Sequence, residues 1–503
     1  MSLTGPGSIT AATLMAQTNM FTQLDKLSQQ LSTGQAAQTY SDLGSQAGLV
    51  LSLGSQLSAI NGYSSTATTV GTTLSLAQSV LGQLDSARTS LEQAVNGQGA
   101  FSLDNNGKTT VQESAGAYLD QIVSLLNTQA GDTYLFSGSA VNQPSVADAS
   151  LILNGNGAQA GFTQVLSERE QADLGTNGLG RLVIPPASGS TVSISEDAAG
   201  SPFGFKLAGV NSSLTGATVT GPSGSPQSIS VDLGSNPNAG DSIQFSLTLP
   251  DGSSQTVTLQ ATTATPPGAN QFTIGTTPAD TATNLQAALT TAVSNLAQTA
   301  LPAASAMAAA NDFFSSDLPQ RVAGPPFATA TSLVAGTPAN TVFWYTGESG
   351  STPARQTAVA QVGPSTSVSY GMRANEQAIS TLIGNVAVLA ATSYSASDPN
   401  AAASYQALSL KVAGNLDGQP GTQKVSDMEA DLANAQTTVN NATTLNTQTQ
   451  STLQDMLQNI DGVSQSQVGE EILTLQNSLS ASMSVSARLA QLSLVNYLGP
   501  VTG

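Results

Sequence analysis

The side chains that carry most enzymatic chemistry are missing from this chain, which has no histidine and no cysteine among its 503 residues. That removes thiol nucleophiles, disulfides, imidazole general bases and most zinc sites. The many serines have no histidine to activate them, and no Ser–Lys pair stands out by spacing. Acids cluster at Glu168 and Glu170, but no second cluster lies at metal-ligand spacing. Asp104-Asn105-Asn106-Gly107 begins like a calcium loop, yet the required glycine and distal glutamate are out of register, so it reads as a turn. Gly155-Asn156-Gly157 is an isolated G-x-G without the rest of a nucleotide fingerprint, and reads as a loop. Asn211-Ser212-Ser213 fits a glycosylation sequon, a match that arises easily by chance in a Ser-rich chain. Trp344-Tyr345 allows two readings: a ligand platform, or strand residues packed on the helix that starts near Met372. Glu470-Glu471 is a solvated pair at a helix start, where the helix dipole favours it. The sequence therefore assigns no catalytic residue, no cofactor and no metal site, and describes a chain that is not an enzyme.

Composition narrows the partners. Charged residues make up only 9 % and the formal net charge is −19. Nucleic acid and anionic lipid both need basic patches, so neither is expected to bind. The first twenty residues hold no Lys or Arg and no continuous apolar block, unlike a secretory signal peptide. No stretch reaches the roughly 18 apolar residues of a membrane span. If the protein is extracellular, it leaves the cell by a route that cleaves no signal.

What the chain does have is long helical stripes. From Leu432 to Leu498, apolar and small residues recur at alternating steps of three and four: Leu432, Ala435, Val439, Ala442, then Leu453, Met456, Ile460, Val463. Asn446 and Thr449 are polar positions in the same seam. The frame slips by one after Val463 and resumes at Val468, Ile472, Leu475 and Leu479. It ends in an apolar tail with Leu489, Leu492, Leu494, Val495 and Leu498. A 3.5-residue repeat marks a helix packed along another helix, and a one-residue slip changes the local supercoil without ending the helix. A second stripe, Ile60, Tyr63, Ala67, Val70, Leu74, Ala77, Leu81, Leu84, Arg88, Leu91 and Val95, is the expected antiparallel partner. It predicts a helix roughly 50 Å long. Arg88 with Glu92 is either an i,i+4 pair or a contact between subunits. A first helix over 8–35 shows Leu14, Leu24, Leu27 and Leu31 on one side and stops at Gly34. Residues 36–50 read as irregular, broken by Tyr40, Gly44 and Gly48. A third helix begins near Val111 and ends at Gly131.

Between the stripes the period changes to two. Ile229, Val231 and Leu233 alternate, as do Ile243, Phe245, Leu247 and Leu249, and Pro250-Asp251-Gly252 turns the chain into Val257 and Leu259. An amphipathic helix follows over about 279–300, then an Ala-rich one over 301–314. Pro325, Pro326 and Pro338 mark a linker, 342–345 and 365–370 read as strands, and helices follow over about 372–391 and 399–414. The expected fold class is α+β and multidomain: a long coiled-coil-like helical rod formed by both chain ends, with an inserted β-rich domain. The parts are a helical assembly segment (1–50), the first half of the rod (51–140), the β-rich insertion (141–340), a strand-and-helix return (341–424) and a C-terminal long helix (425–503).

Several short segments in order along the chain carry a resemblance. They are Leu24-Asp25-Lys26-Leu27-Ser28-Gln29-Gln30-Leu31-Ser32-Thr33-Gly34, Tyr134-Leu135-Phe136-Ser137-Gly138, Ala172-Asp173-Leu174-Gly175 and Gly178-Leu179-Gly180-Arg181-Leu182. Further on come Trp344-Tyr345-Thr346-Gly347, Tyr370-Gly371-Met372-Arg373-Ala374-Asn375-Glu376 and the closing Leu492-Ser493-Leu494-Val495-Asn496-Tyr497-Leu498. In this the chain resembles the flagellin superfamily, most closely the hook-associated protein 3 (hook–filament junction) branch of alphaproteobacteria. It departs from many relatives after Gly34, and Leu84 to Val95 lacks the filament pattern that innate receptors bind. The resemblance implies an extracellular structural subunit of the bacterial flagellum, exported by the flagellar type III route. A filament flagellin is the nearest alternative and a secreted adhesin or fibre protein a remote one. Implied partners are copies of itself, hook-associated protein 1, flagellin and an export chaperone. The seam residues expected at the assembly interface are Leu24, Leu27, Leu31, Ile60, Val70, Leu74, Leu81, Leu84, Arg88, Leu91, Leu453, Ile460, Ile472, Leu475, Leu479, Leu489, Leu492, Val495 and Leu498.

Overall fold

The structure is a computed structural model that describes residues 6–37, 39, 43–97, 99–315 and 318–497, with side chains omitted at 6–10 and 492–497. In chain order it begins with α1 (Pro6–Thr33), α2 (Ala47–Asn96), α3 (Thr110–Leu126), β1 (Gln129–Ala130), β2 (Thr133–Tyr134), α4 (Ala149–Asn154) and α5 (Phe162–Leu174). Eight strands follow: β3 (Leu182–Val183), β4 (Thr191–Glu196), β5 (Lys206–Ser212), β6 (Ala217–Ser223), β7 (Ser228–Leu233), β8 (Ser242–Thr248), β9 (Ser254–Thr262) and β10 (Gln271–Thr273). Then come α6 (Pro278–Gln298), α7 (Ala300–Phe313), β11 (Gln320–Val322), β12 (Leu333–Ala335), β13 (Val359–Gln361) and β14 (Ser367–Ser369). The chain closes with α8 (Gln377–Ala391), α9 (Ala401–Leu416), α10 (Val425–Asp461) and α11 (Gln465–Tyr497). Long helices at the two ends thus flank a β-rich middle, and α1 packs on α11. Two compact units result. One holds Met1–Gly71, Ala360–Val368 and Thr437–Gly503; the other holds Thr72–Val359 and Ser369–Gln436.

In the second unit the alternating apolar residues do what their period requires. Strands β3-β4-β7-β6 form one four-stranded sheet and β10-β9-β8-β5 the other, with β10 parallel to β9. Ile229, Val231, Leu233, Ile243, Phe245, Leu247, Val257 and Leu259 all point into one core. Helix α6 closes that core with Leu285, Leu289 and Val293. Its start is fixed by a capping box in which Thr277 and Asp280 exchange hydrogen bonds. The β8–β9 turn is the expected one: Gly252 has φ +80° and its N–H donates to the Leu249 carbonyl at 2.9 Å.

Several expectations change. Helix α2 begins at Ala47, so Gly48 lies inside it, and its 50 residues span about 75 Å rather than 50. Helix α3 ends at Leu126, not Gly131, and α8 starts at Gln377, not Met372. The proline segment is not a linker: β11 and β12 pair antiparallel, and Val322 and Ala330 join Ala172 and Phe203 in a small core. Residues 342–345 make only isolated bridges, Val146 to Tyr345 and Ala160 to Thr341 beside them. The C-terminal stripe is not one helix. It breaks at 462–464, where a Cβ on Gly462 would lie 2.2 Å from the Gln458 carbonyl oxygen. The signal for the break is local: Gly462, then Ser464 with Gln467 three residues on, whose N–H approaches the Ser464 hydroxyl at 3.5 Å. Among the described residues no helix is long and apolar enough to cross a membrane.

Candidate assembly interface

In the first unit, α1 and α11 run antiparallel. The Gln17 amide donates to Ser482 and Ser486, while the far ends of the pair meet at 34–36 and 461–463. There the Ala36 N–H donates to the Asp461 carbonyl at 2.5 Å and the Val463 N–H to the Gly34 carbonyl at 3.1 Å, making an antiparallel bridge from Gln35 to Gly462. The Gln30 side chain adds a bond to the Ala36 carbonyl at 2.7 Å. Gly34 ends α1 with φ +72°, a conformation that suits glycine. Two chain interruptions are therefore mated to each other.

The seam between α1 and α11 is shallow. Leu24 and Leu27 are half-buried, as are Ile472, Leu475 and Leu479. Leu14 is 67 % exposed and Leu31 38 %, so the α1 stripe keeps the expected Leu24 and Leu27 but runs through Thr13, Gln17, Met20 and Gln30 in place of Leu14 and Leu31. Away from the seam, Met15, Phe21, Leu473, Met483, Val485 and Leu489 are exposed. Leu492 and Val495 fall in α11, but their side chains are not among those described; Leu498 lies outside the described residues.

The expected α2 seam has a different fate. Val70, Leu74, Leu81, Leu84 and Leu91 are buried within the chain. Leu53, Ile60 and Leu453 form one small core of the first unit, with Leu57, Tyr63, Leu457 and Ile460 packed on it. Leu457 takes the place expected for Met456, which is exposed. The polar seam position Asn446 is buried for a reason: its amide donates to the Val362 carbonyl at 2.8 Å and holds the hairpin of 360–368. These side chains are consumed inside the molecule; α11 takes α1 as its partner, not α2. In the second unit Arg88 bonds Asp85 (2.8 Å), Glu92 (2.9 Å) and the Leu416 carbonyl (2.9 Å), so the i,i+4 pair is present within the chain.

Three segments singled out by their motifs converge in the second unit. The Gly138 N–H donates to the Met372 carbonyl and the Ala374 N–H to the Phe136 carbonyl, at 2.9 and 2.8 Å. The Glu348 N–H donates to the Ser137 carbonyl at 2.9 Å, and Arg373 pairs with Glu348 at 3.1 Å. A side chain at Gly138, φ +65°, would collide with Glu348, which is why glycine stands there. Trp344 is buried with its ring 5.5 Å from Phe314. It packs against the end of α7. The Tyr345 hydroxyl is buried, and burial pushes it up to about 12.

Helix α5 is built on buried charges, which leave no apolar period in the sequence. Arg169 is buried, bonds Asp173 at 2.8 Å and Asp312 at 2.6 Å, and lies 5.2 Å over the Phe203 ring. Glu168 takes Arg321. Asp173 also accepts the Gly204 N–H at 2.8 Å. Because these core-facing positions are polar, no apolar stripe announces the helix. Among the described residues no three His, Cys, Asp or Glu side chains gather as a metal site would require.

The arrangement defines a multidomain α+β protein with coiled-coil-like, paired terminal helices and a central β-rich region. No protein-family model matches the chain, and no curated protein matches it.

Proposed function

We propose that this chain is a non-enzymatic structural subunit of the bacterial flagellum, most specifically of the hook–filament junction. In this reading it is exported by the type III route and assembles outside the cell through its terminal helices. The observation that carries the reading is the α1–α11 pair. Its seam is only half-buried, and large apolar side chains such as Phe21 (48 % exposed) and Leu473 (61 %) remain on the outside. A helix pair with apolar residues on further faces is suited to heterologous packing against copies of itself and neighbouring axial proteins such as hook-associated protein 1 and flagellin. A chaperone covering these helices before export fits the same surface.

The test separates the α1–α11 seam from the outer face. Leu475→Asp places a charge in the seam and is expected to block assembly while the β-rich core stays folded. Phe21→Asp leaves the pair intact and is expected to block assembly as well. Incorporation of both variants at the wild-type level would reject the interface. Deleting the gene separates the roles: bare hooks with flagellin spilled into the medium identify the junction subunit. Hooks that keep their junction and spill nothing identify a filament protein, and unchanged motility rejects the flagellar reading.

A further inference from the structure

Four acids sit on or against α5 in the second unit, and three have an arginine. Glu168 has Arg321, while Asp173 and Asp312 share Arg169. Glu170 has no ion pair and no hydrogen bond among the described residues. It lines a cavity of about 290 Å³ between α5, α7, the α8–α9 connection and α9. Leu166 and Leu408 line the apolar part; Ser167, Tyr394, Asp398 and Ser404 line the polar part, and no Lys or Arg does.

The charges on the elements packed against α5 are engaged elsewhere. Helix α7 brings Asp312, already bonded to Arg169, and β11 brings Arg321, already bonded to Glu168. Helices α4 and α8 and the turn Phe327–Thr329 carry no titratable side chain. The α8–α9 connection brings Tyr394 and Asp398, and α9 brings Tyr405 against Tyr394, 5.8 Å between ring centres. Lys108, on the loop whose Gly107 carbonyl accepts the Tyr394 N–H, gives its ammonium to the Ala390 carbonyl at 2.5 Å.

We propose that Glu170, the acid without a cation at this cavity, makes the packing of α5 against the α8–α9 connection proton-dependent, the unit being more stable with that carboxyl protonated. Glu170 is half-buried, and an ionised carboxylate partly withdrawn from water with no cation beside it is less well solvated than in the unfolded chain; the neutral acid has a smaller penalty and gains a donor. Burial and then the Asp173 charge push Glu170 up to about 7. Burial, and then the Glu170 charge, likewise raise Tyr394. Here the folded state holds the proton more tightly than the unfolded chain. The contribution is therefore complete below the ordinary glutamate range and is lost as pH rises through about 7.

The test is urea unfolding of the full chain at pH 6 and pH 8, followed by the fluorescence of the single tryptophan, Trp344, which lies in this unit. The ratio of folded to unfolded protein is expected to rise about tenfold from pH 8 to pH 6 through this group. Acidification also relieves the net negative charge of the whole chain, so Glu170→Gln is compared with the exposed control Asp120→Asn. Glu170→Gln is expected to lose the tenfold component and Asp120→Asn to keep it. Retention of the full wild-type pH dependence in Glu170→Gln overturns the proposal. If that variant fails to unfold cooperatively, carboxyl-selective ¹³C NMR of the wild type decides. A glutamate δ-carboxyl, distinct from the raised Asp173 and Asp312, titrating near 7 upholds the proposal, and none between pH 6.5 and 8 overturns it.

Discussion

Replacing Arg169 by methionine is expected to destabilise the β-containing unit by about 3–5 kcal/mol, the cost of breaking a buried ion pair from one side. Asp173 is fully buried, and it would be left with one N–H donor from Gly204 and no cation. Asp312 would lose the same partner. Methionine keeps the volume and the contact with Phe203, so the loss reports charge rather than a cavity. Two further outcomes identify the mechanism. Adding Asp173→Asn to Arg169→Met is expected to recover a large part of the loss. Lowering the pH is expected to shrink it too, since burial already raises Asp173 and holds Asp312 at about 6 against the pull of Arg169. Urea unfolding followed by Trp344 fluorescence measures all three. A loss that is independent of pH and unaffected by the second substitution would mean that Arg169 acts by packing alone.

Leu84→Ala is expected to cost about 2–5 kcal/mol on the same transition, because Leu84 is wholly buried and a helix backbone 50 residues long collapses poorly around a void. Leu475→Ala, half-buried on α11 in the first unit, is expected to cost about 1 kcal/mol or less, read by far-UV circular dichroism because Trp344 lies in the other unit. The two leucines stand at equivalent places in the sequence stripes, so the difference between them measures which part of the seam the monomer uses. Equal costs would show that the terminal pair is packed as tightly as the α2 seam.

Much of the architecture is legible in the chain because it follows from periods. Steps of three and four located α2 from Ile60 onward and the two C-terminal helices, though as one run; Gly34 marked the end of α1, and period two located β7, β8 and β9. The same reasoning fails where burial is not apolar. Helix α5 buries Glu168, Arg169 and Asp173, so it carries no stripe. Asn446 is a polar position in an apolar seam because its amide donates to the Val362 carbonyl. Period also cannot say which of two similar stripes is the partner. That choice is made by the break at Gly462, which hands α10 to the start of α2 and α11 to α1. For the interface, sequence located the apolar residues but not their exposure: Val70 to Leu91 are core, whereas Phe21, Leu473 and Val485, outside the expected set, are on the surface.

The mated interruptions at 34–36 and 461–463 have a consequence for length. A seam of alternating threes and fours repeats every seven residues, so two such helices can slide by about 10 Å and find an equally good fit. The backbone bridge from Gln35 to Gly462 removes that freedom, because its hydrogen bonds exist at one offset only. It is a zero mark from which both terminal helices are counted. Each helix tip then lies a set number of residues from a shared origin, so the paired ends have one defined length.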